Sequence, residues 1–131
     1  MIALYTSAIV AIALNETEAS EFSWVIVTSE ALVGAPTLLE THIVLERQVG
    51  KGSEGFLTAF LSRSSVHAVA FNIKMFRLAQ SAFNLFGGGK GHAAKLNFGD
   101  CMAYAVAKFH GVLLLFKGED FRRTDIHPAS P

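Results

Sequence analysis

The chain has 131 residues, 51% of them hydrophobic and 17% charged, and its eleven basic and eleven acidic side chains cancel. That length accommodates one domain with a single sizeable core, and the composition excludes a disordered chain. Zero net charge excludes a global attraction to nucleic acid, so any such affinity has to come from a local patch or a bound ion.

Taken in order, residues 1–4 form a short apolar run that reads as a buried strand. Thr6 and Ser7 then cap an apolar helix over 8–14. Residues 15–18 break the pattern and begin a second helix running through Phe22 and Trp24. A brief strand is expected at 32–35. Pro36 suits the first turn of the next helix, which ends at Gly50-Lys-Gly52. Phe56, Ala59 and Phe60 have core spacing in a further helix, and the partly β-branched run 66–70 predicts an inner strand. A longer helix over 72–86 closes at three glycines. A loop bearing glycine and lysine follows over 87–96. Asn97 caps a helix ending at Gly111, 112–116 is a strongly buried strand, and 124–127 is a last edge strand stopped by Pro128. Alternating strands and helices of this length predict a three-layer α/β/α domain with a mainly parallel sheet.

The one cysteine, Cys101, excludes an internal disulfide and fits a reducing cytoplasm. The N-terminus lacks a basic segment ahead of its apolar run, and that run is too short to span a bilayer. A soluble cytoplasmic protein without membrane contact is therefore expected. The five histidines show no zinc spacing, and Gly87-Gly-Gly-Lys90 lacks the spacing and hydroxyl residue of a phosphate loop.

In parallel sheets, sites form beyond the carboxyl ends of the strands. Tyr5, Glu40, Asp100 and Asp120 all fall at strand and helix junctions, so they are expected to converge on one edge. Two carboxylates about 4 Å apart repel by roughly 4 kcal/mol at an effective dielectric near 20, so such a cluster points to a divalent cation. Each acid also has a structural reading. Glu40 completes a capping box with Thr37. Asp100 stands three residues after the Asn97 cap, where the helix dipole favours an acid. Asp120 lies in a Gly-Glu-Asp turn, beside Glu119 as an alternative acid, and Asp125 reads as a tail contact. Cys101 reads as a small inward-packed hydrophobe rather than a nucleophile. The stripe Phe71, Phe76, Phe83 and Phe86 is expected to be mostly core.

Several segments together resemble the PIN-domain ribonucleases of the VapC toxin type: Thr6-Ser-Ala-Ile-Val-Ala-Ile12, Leu39-Glu-Thr41 with Val44-Leu-Glu46, Gly89-Lys-Gly-His92, Leu96-Asn-Phe-Gly-Asp-Cys101, Ala103-Tyr-Ala-Val-Ala-Lys108, and Leu114-Leu-Phe-Lys-Gly-Glu-Asp-Phe121 with Thr124-Asp-Ile126. The resemblance spans nearly the whole chain, 1–131, as a single PIN-like domain, although 50–90 matches only in pattern. It implies a Mg²⁺- or Mn²⁺-dependent endoribonuclease that cuts structured RNA, paired with a VapB-like antitoxin and assembled as a homodimer. Glu40, Asp100 and Asp120 match the family's later acidic positions, and Ser7 a hydroxyl that orients the first acid. At Tyr5 the family has an aspartate that ligates the metal.

A phenol does not replace that ligand. Its pKa near 10 keeps it protonated, whereas hard Mg²⁺ prefers anionic oxygen. Lys90, His92 and Lys95 on the neighbouring loop are candidates to hold an RNA backbone. Two functions follow: a ribonuclease toxin weakened by Tyr5, or an inactive PIN module that binds antitoxin or RNA.

Overall fold

The first strand, β1 (Ile2–Leu4), divides the molecule: Ile2 and Leu4 enter one hydrophobic core and Ala3 the other, as a two-residue period requires. In the computed structural model, which describes residues 1–130, β1 leads into α1 (Thr6–Ala13), α2 (Ala19–Ser29), β2 (Ala31–Gly34), α3 (Ala35–Val49), α4 (Ser53–Leu61), β3 (Val66–Val69), α5 (Ile73–Phe86), α6 (Phe98–His110) and β4 (Leu113–Leu115). Short 3₁₀ turns occupy Gly50–Gly52 and Asp120–Arg123.

The four strands form one parallel sheet in the order β3-β2-β1-β4, with Ala3 opposite both Leu32 and Leu114. Residues of α1 to α4, including Ile9, Phe22, Ile26, Leu45 and Phe60, fill the core on one face. On the other face α5 and α6 contribute Met75, Ala79, Cys101, Tyr104 and Val106. The expected three-layer α/β/α sandwich with a parallel sheet is the observed architecture. Each large side chain fully removed from water contributes about 1.5–3 kcal/mol, so these two cores dominate the favourable side of folding.

Three local expectations need correction. The strand β3 is an edge strand rather than an inner one, and His67 and Ala68 are exposed. Its β-branched residues reflect one-sided packing, not full burial. The tail is not a strand: it forms the 3₁₀ turn Asp120–Arg123 and then a single bridge between Leu114 and Pro128. That bridge still shields β4, because Leu114 N–H donates to the His127 carbonyl and Ala129 N–H to the Leu114 carbonyl. The phenylalanine stripe is not mostly core either. Phe76 is 46% and Phe83 40% exposed, while Phe71 and Phe86 are half-buried.

Glycine is required where β2 runs into α3. A Cβ on Gly34 would stand 2.8 Å from Val106 Cγ2, so the close approach of α6 to this strand end depends on its absence. At the other end of α6, Gly111 adopts φ +65° and closes the helix in the left-handed conformation, as its position after His110 predicts. Among the described residues, no helix is long and apolar enough to cross a membrane.

Candidate functional site

Three parallel strands end on the same side of the sheet, and the chain places a polar residue after each. Tyr5 follows β1 directly, with its N–H bound to the Leu115 carbonyl of β4 at 3.0 Å. Glu40 lies in the second turn of α3, which begins immediately after β2. Asp120 opens the 3₁₀ turn that follows β4. Asp100 reaches the same region from the first turn of α6, whose start is set by a reciprocal cap. Asn97 Oδ1 accepts from the Asp100 N–H at 2.8 Å, and Asp100 Oδ2 accepts from the Asn97 N–H at 2.9 Å.

Glu40 is not held by a capping box. The N-cap of α3 is Gly34, no side chain caps that helix, and the buried Thr37 gives only its carbonyl, to the Thr41 hydroxyl at 2.7 Å. The Glu40 carboxylate instead turns towards α1. Thr6 Oγ1 donates to Oε1 at 2.7 Å, and the Tyr5 hydroxyl donates to Oε2 at 3.3 Å. A Cβ on Gly99 would collide with this carboxylate, so the glycine preceding Asp100 lets the α3 and α6 acids approach. Thr41 Oγ1 stands 3.1 Å from Thr6 Oγ1, behind the pair.

The electrostatics follow from this packing. Burial first, then contact with the Asp100 carboxylate, then the Glu40 charge, push the Tyr5 hydroxyl well above the ordinary tyrosine range. The Tyr5 hydroxyl is hydrogen-bonded to Glu40, while Asp100 exerts the larger influence on the phenol. Burial also raises the Asp100 carboxyl, assisted by the charge of Asp120; the Asn97 N–H and the Tyr5 hydroxyl oppose this without cancelling it. Asp120 itself is exposed. Burial and the adjacent Asp100 push the Cys101 thiol up to about 11, which makes it an inert core residue rather than a nucleophile.

Other expected site residues lie elsewhere or do other work. The Ser7 hydroxyl accepts from the Lys117 N–H at 2.8 Å, tying the loop after β4 to α1 rather than facing the acids. Thr6, expected only as a helix cap, is the first residue of α1, makes no cap, and carries the hydroxyl that orients Glu40. Its signal was its place as the first helical residue after Tyr5. Glu119 is exposed and lies 4.0 Å from Arg122. On the glycine loop, Lys90 Nζ sits 5.4 Å from the Phe83 ring centre, and His92 packs edge-on against Phe86 while its Nδ1 accepts from the Ala94 N–H. Lys95 is exposed at φ +51°. Asp125 accepts from the Tyr104 hydroxyl at 2.8 Å and from Lys108 Nζ at 2.9 Å, remote from this cluster in role.

Beside Glu40 opens an apolar groove of about 770 Å³ between α3, the β3–α5 link and the start of α6, lined in part by Pro36, Leu39, Ile43, Phe71, Phe98 and Met102. Leu39 is 61% and Phe98 78% exposed on its rim, a larger apolar display than isolated surface residues explain.

Residues 2–127 match the PIN domain family. Ribonuclease VapC30 of Mycobacterium tuberculosis is 38% identical over 122 residues, which is 92% of this chain and 92% of the relative. The crystal structure of Mycobacterium tuberculosis VapC20, described as a Sarcin-Ricin loop cleaving toxin, superposes with a TM-score of 0.79 at 16% identity over 100% of both chains. VapBC2 from Rickettsia felis, bound to a DNA fragment from its promoter, gives a TM-score of 0.73 at 17% identity, covering 98% of this chain and 96% of that one. The chain belongs to the PIN-domain family and, by relatives matched over 92% of both chains, to the VapC type within it.

A divalent cation, implied by the resemblance, meets a donor set that does not fit it well. Glu40 and Asp100 adjoin, but the group between them is a protonated phenol. Among the described residues no three His, Cys, Asp or Glu side chains lie close enough together to hold an ion.

Proposed function

We propose that this chain is the ribonuclease component of a VapC-type toxin–antitoxin pair, an endoribonuclease for structured RNA whose activity is weakened by Tyr5. The observation that carries this reading is the meeting of Glu40 and Asp100, from the starts of two different helices, at the carboxyl ends of the parallel strands. Relatives named as ribonucleases and matched over 92% of both chains support it, as does the VapBC pair among the structural neighbours. The chain's own groups supply what hydrolysis of a phosphodiester needs beside a cation. Glu40 is a fixed acceptor, oriented by Thr6 and able to align a water. Asp100 is a buried carboxyl whose raised pKa suits it to exchange a proton. Lys90 and Lys95 are exposed cations on the loop that leads into α6, suited to a phosphate backbone. Mg²⁺ or Mn²⁺ is the cofactor that family resemblance suggests, and its hold here is weakened because position 5 contributes no negative charge. The apolar groove beside Glu40 is the surface suited to an antitoxin segment, and a homodimer is the proposed assembly.

A second reading is favoured by one observation: the Tyr5 hydroxyl is already hydrogen-bonded to Glu40. In that reading the chain is an inactive PIN module that keeps its antitoxin- or RNA-binding surface. Metal-dependent cleavage of a structured RNA, measured for this chain and for Tyr5→Asp, separates the two. A carboxylate at position 5 is expected to raise cleavage by about a hundredfold or more. Equal cleavage by both proteins would refute the weakening by Tyr5. No cleavage by either would overturn the nuclease reading in favour of the binding module.

A further inference from the structure

We propose that the Tyr5 phenol takes the place of a cation between Glu40 and Asp100, so that the chain completes this site with its own side chain and divalent ions neither fill nor stabilise it. The inference deepens the identification of these residues as the site. Its test reads ion binding and stability rather than RNA cleavage.

Three of the four carboxylate oxygens of Glu40 and Asp100 already have a donor from the chain. Consecutive residues serve the two oxygens of Glu40, Thr6 at 2.7 Å and Tyr5 at 3.3 Å. Asp100 Oδ2 has the Asn97 N–H at 2.9 Å, and the phenol adjoins the same carboxylate. The one phenol proton goes to Glu40, so it satisfies the half-buried carboxylate oxygen that an ion would otherwise meet, without adding a countercharge.

The ring is also held in place. Its backbone is fixed at both ends, by the Tyr5 N–H to Leu115 and by the N–H groups of Ala8 and Ile9 to the Tyr5 carbonyl. Its edge packs against Phe121 at 5.2 Å between ring centres, with an interplanar angle of 77°. Phe121 is in turn buried against Phe116. For an ion to enter, the phenol would have to leave a wall that is part of the core. A rotating surface tyrosine would carry no such argument.

Mn²⁺ titration followed by electron paramagnetic resonance, together with thermal melting with and without Mn²⁺, tests this on the full chain and on Tyr5→Asp and Tyr5→Phe. The wild-type chain is expected to bind Mn²⁺ only weakly and to melt at the same temperature with or without it. Tyr5→Asp is expected to bind roughly a hundredfold more tightly, since an added ligand charge moves affinity by decades. Its melting temperature should then rise with Mn²⁺ concentration. Tyr5→Phe keeps the ring and loses the donor, so it should melt lower than wild type and still bind Mn²⁺ weakly. Wild-type binding as tight as that of Tyr5→Asp would overturn the proposal, as would a Tyr5→Phe protein that melts no lower than wild type. RNA cleavage is not read here, so loss of the nuclease reading and loss of this one are separate results.

Discussion

The molecule sets a tyrosine against an aspartate twice, and the two places behave oppositely. At the tail, Tyr104 donates to Asp125 and Lys108 stands 2.9 Å away. Burial pushes the Asp125 carboxyl up, but the Lys108 and Tyr104 hydrogen bonds and the Lys108 charge outweigh it and hold the carboxyl below its usual value. At the strand ends, Tyr5 adjoins Asp100 and Glu40 with no basic partner among the causes of either shift, and the Asp100 carboxyl is raised instead. A phenol therefore supplies a hydrogen bond but not a countercharge. One position has both, and the other has only the first.

The largest change to this contrast is expected from Phe121→Ala, which removes the wall behind Tyr5 and leaves a cavity beside Phe116. Loss of a buried aromatic of this kind costs about 3–5 kcal/mol, readable by urea unfolding. The Mn²⁺ affinity of the folded fraction should rise as the phenol is freed. Thr6→Val is next in size. It keeps the shape but strips Glu40 Oε1 of its donor, at about 1–3 kcal/mol in the same assay. Glu40 and Thr41, the two partners of the Thr6 hydroxyl, should feel it, and the Asp125 titration should not move.

The smallest effect sharpens the comparison most. Lys108→Met gives Asp125 the surroundings of Asp100, a tyrosine without a cation. Its carboxyl titration, followed by carbon NMR, should move upward, while stability falls by no more than about 1 kcal/mol because the pair is largely exposed. The pH dependence has a defined sign. The folded pKa of Asp125 lies below the unfolded one, so its contribution is complete above the ordinary aspartate value of 3.8 and fades as pH falls below that. Lys108→Met should flatten that acid limb.

Much of this was legible in the sequence where the signal is local. Asn97 and Asp100 announce a helix start by their spacing, and the structure builds the reciprocal cap that the spacing predicts. Strand-to-helix junctions at Tyr5, Glu40 and Asp120 could be placed on one side of a parallel sheet because the strands all point the same way. The same local reasoning failed for Glu40. Thr37 and Glu40 have the letters of a capping box, but α3 starts two residues earlier and the acid faces another helix. Sequence spacing does not record that Thr6 waits across the gap, nor that Gly99 leaves room for the carboxylate. The rank of β3 in the sheet was equally hidden, since an edge and a centre share the same apolar letters.

One feature of the sheet constrains how the protein is made. The strand β1, residues 2–4, lies between β2 and β4, and β4 is supplied by residues 113–115. During synthesis β1 emerges with one flank unpaired and must wait until residues 113–115 have left the ribosome before that flank closes. Such long-range parallel pairing is slow and leaves an open ribbon edge in the interim. A nascent chain released before β4 should thus be prone to associate with its neighbours.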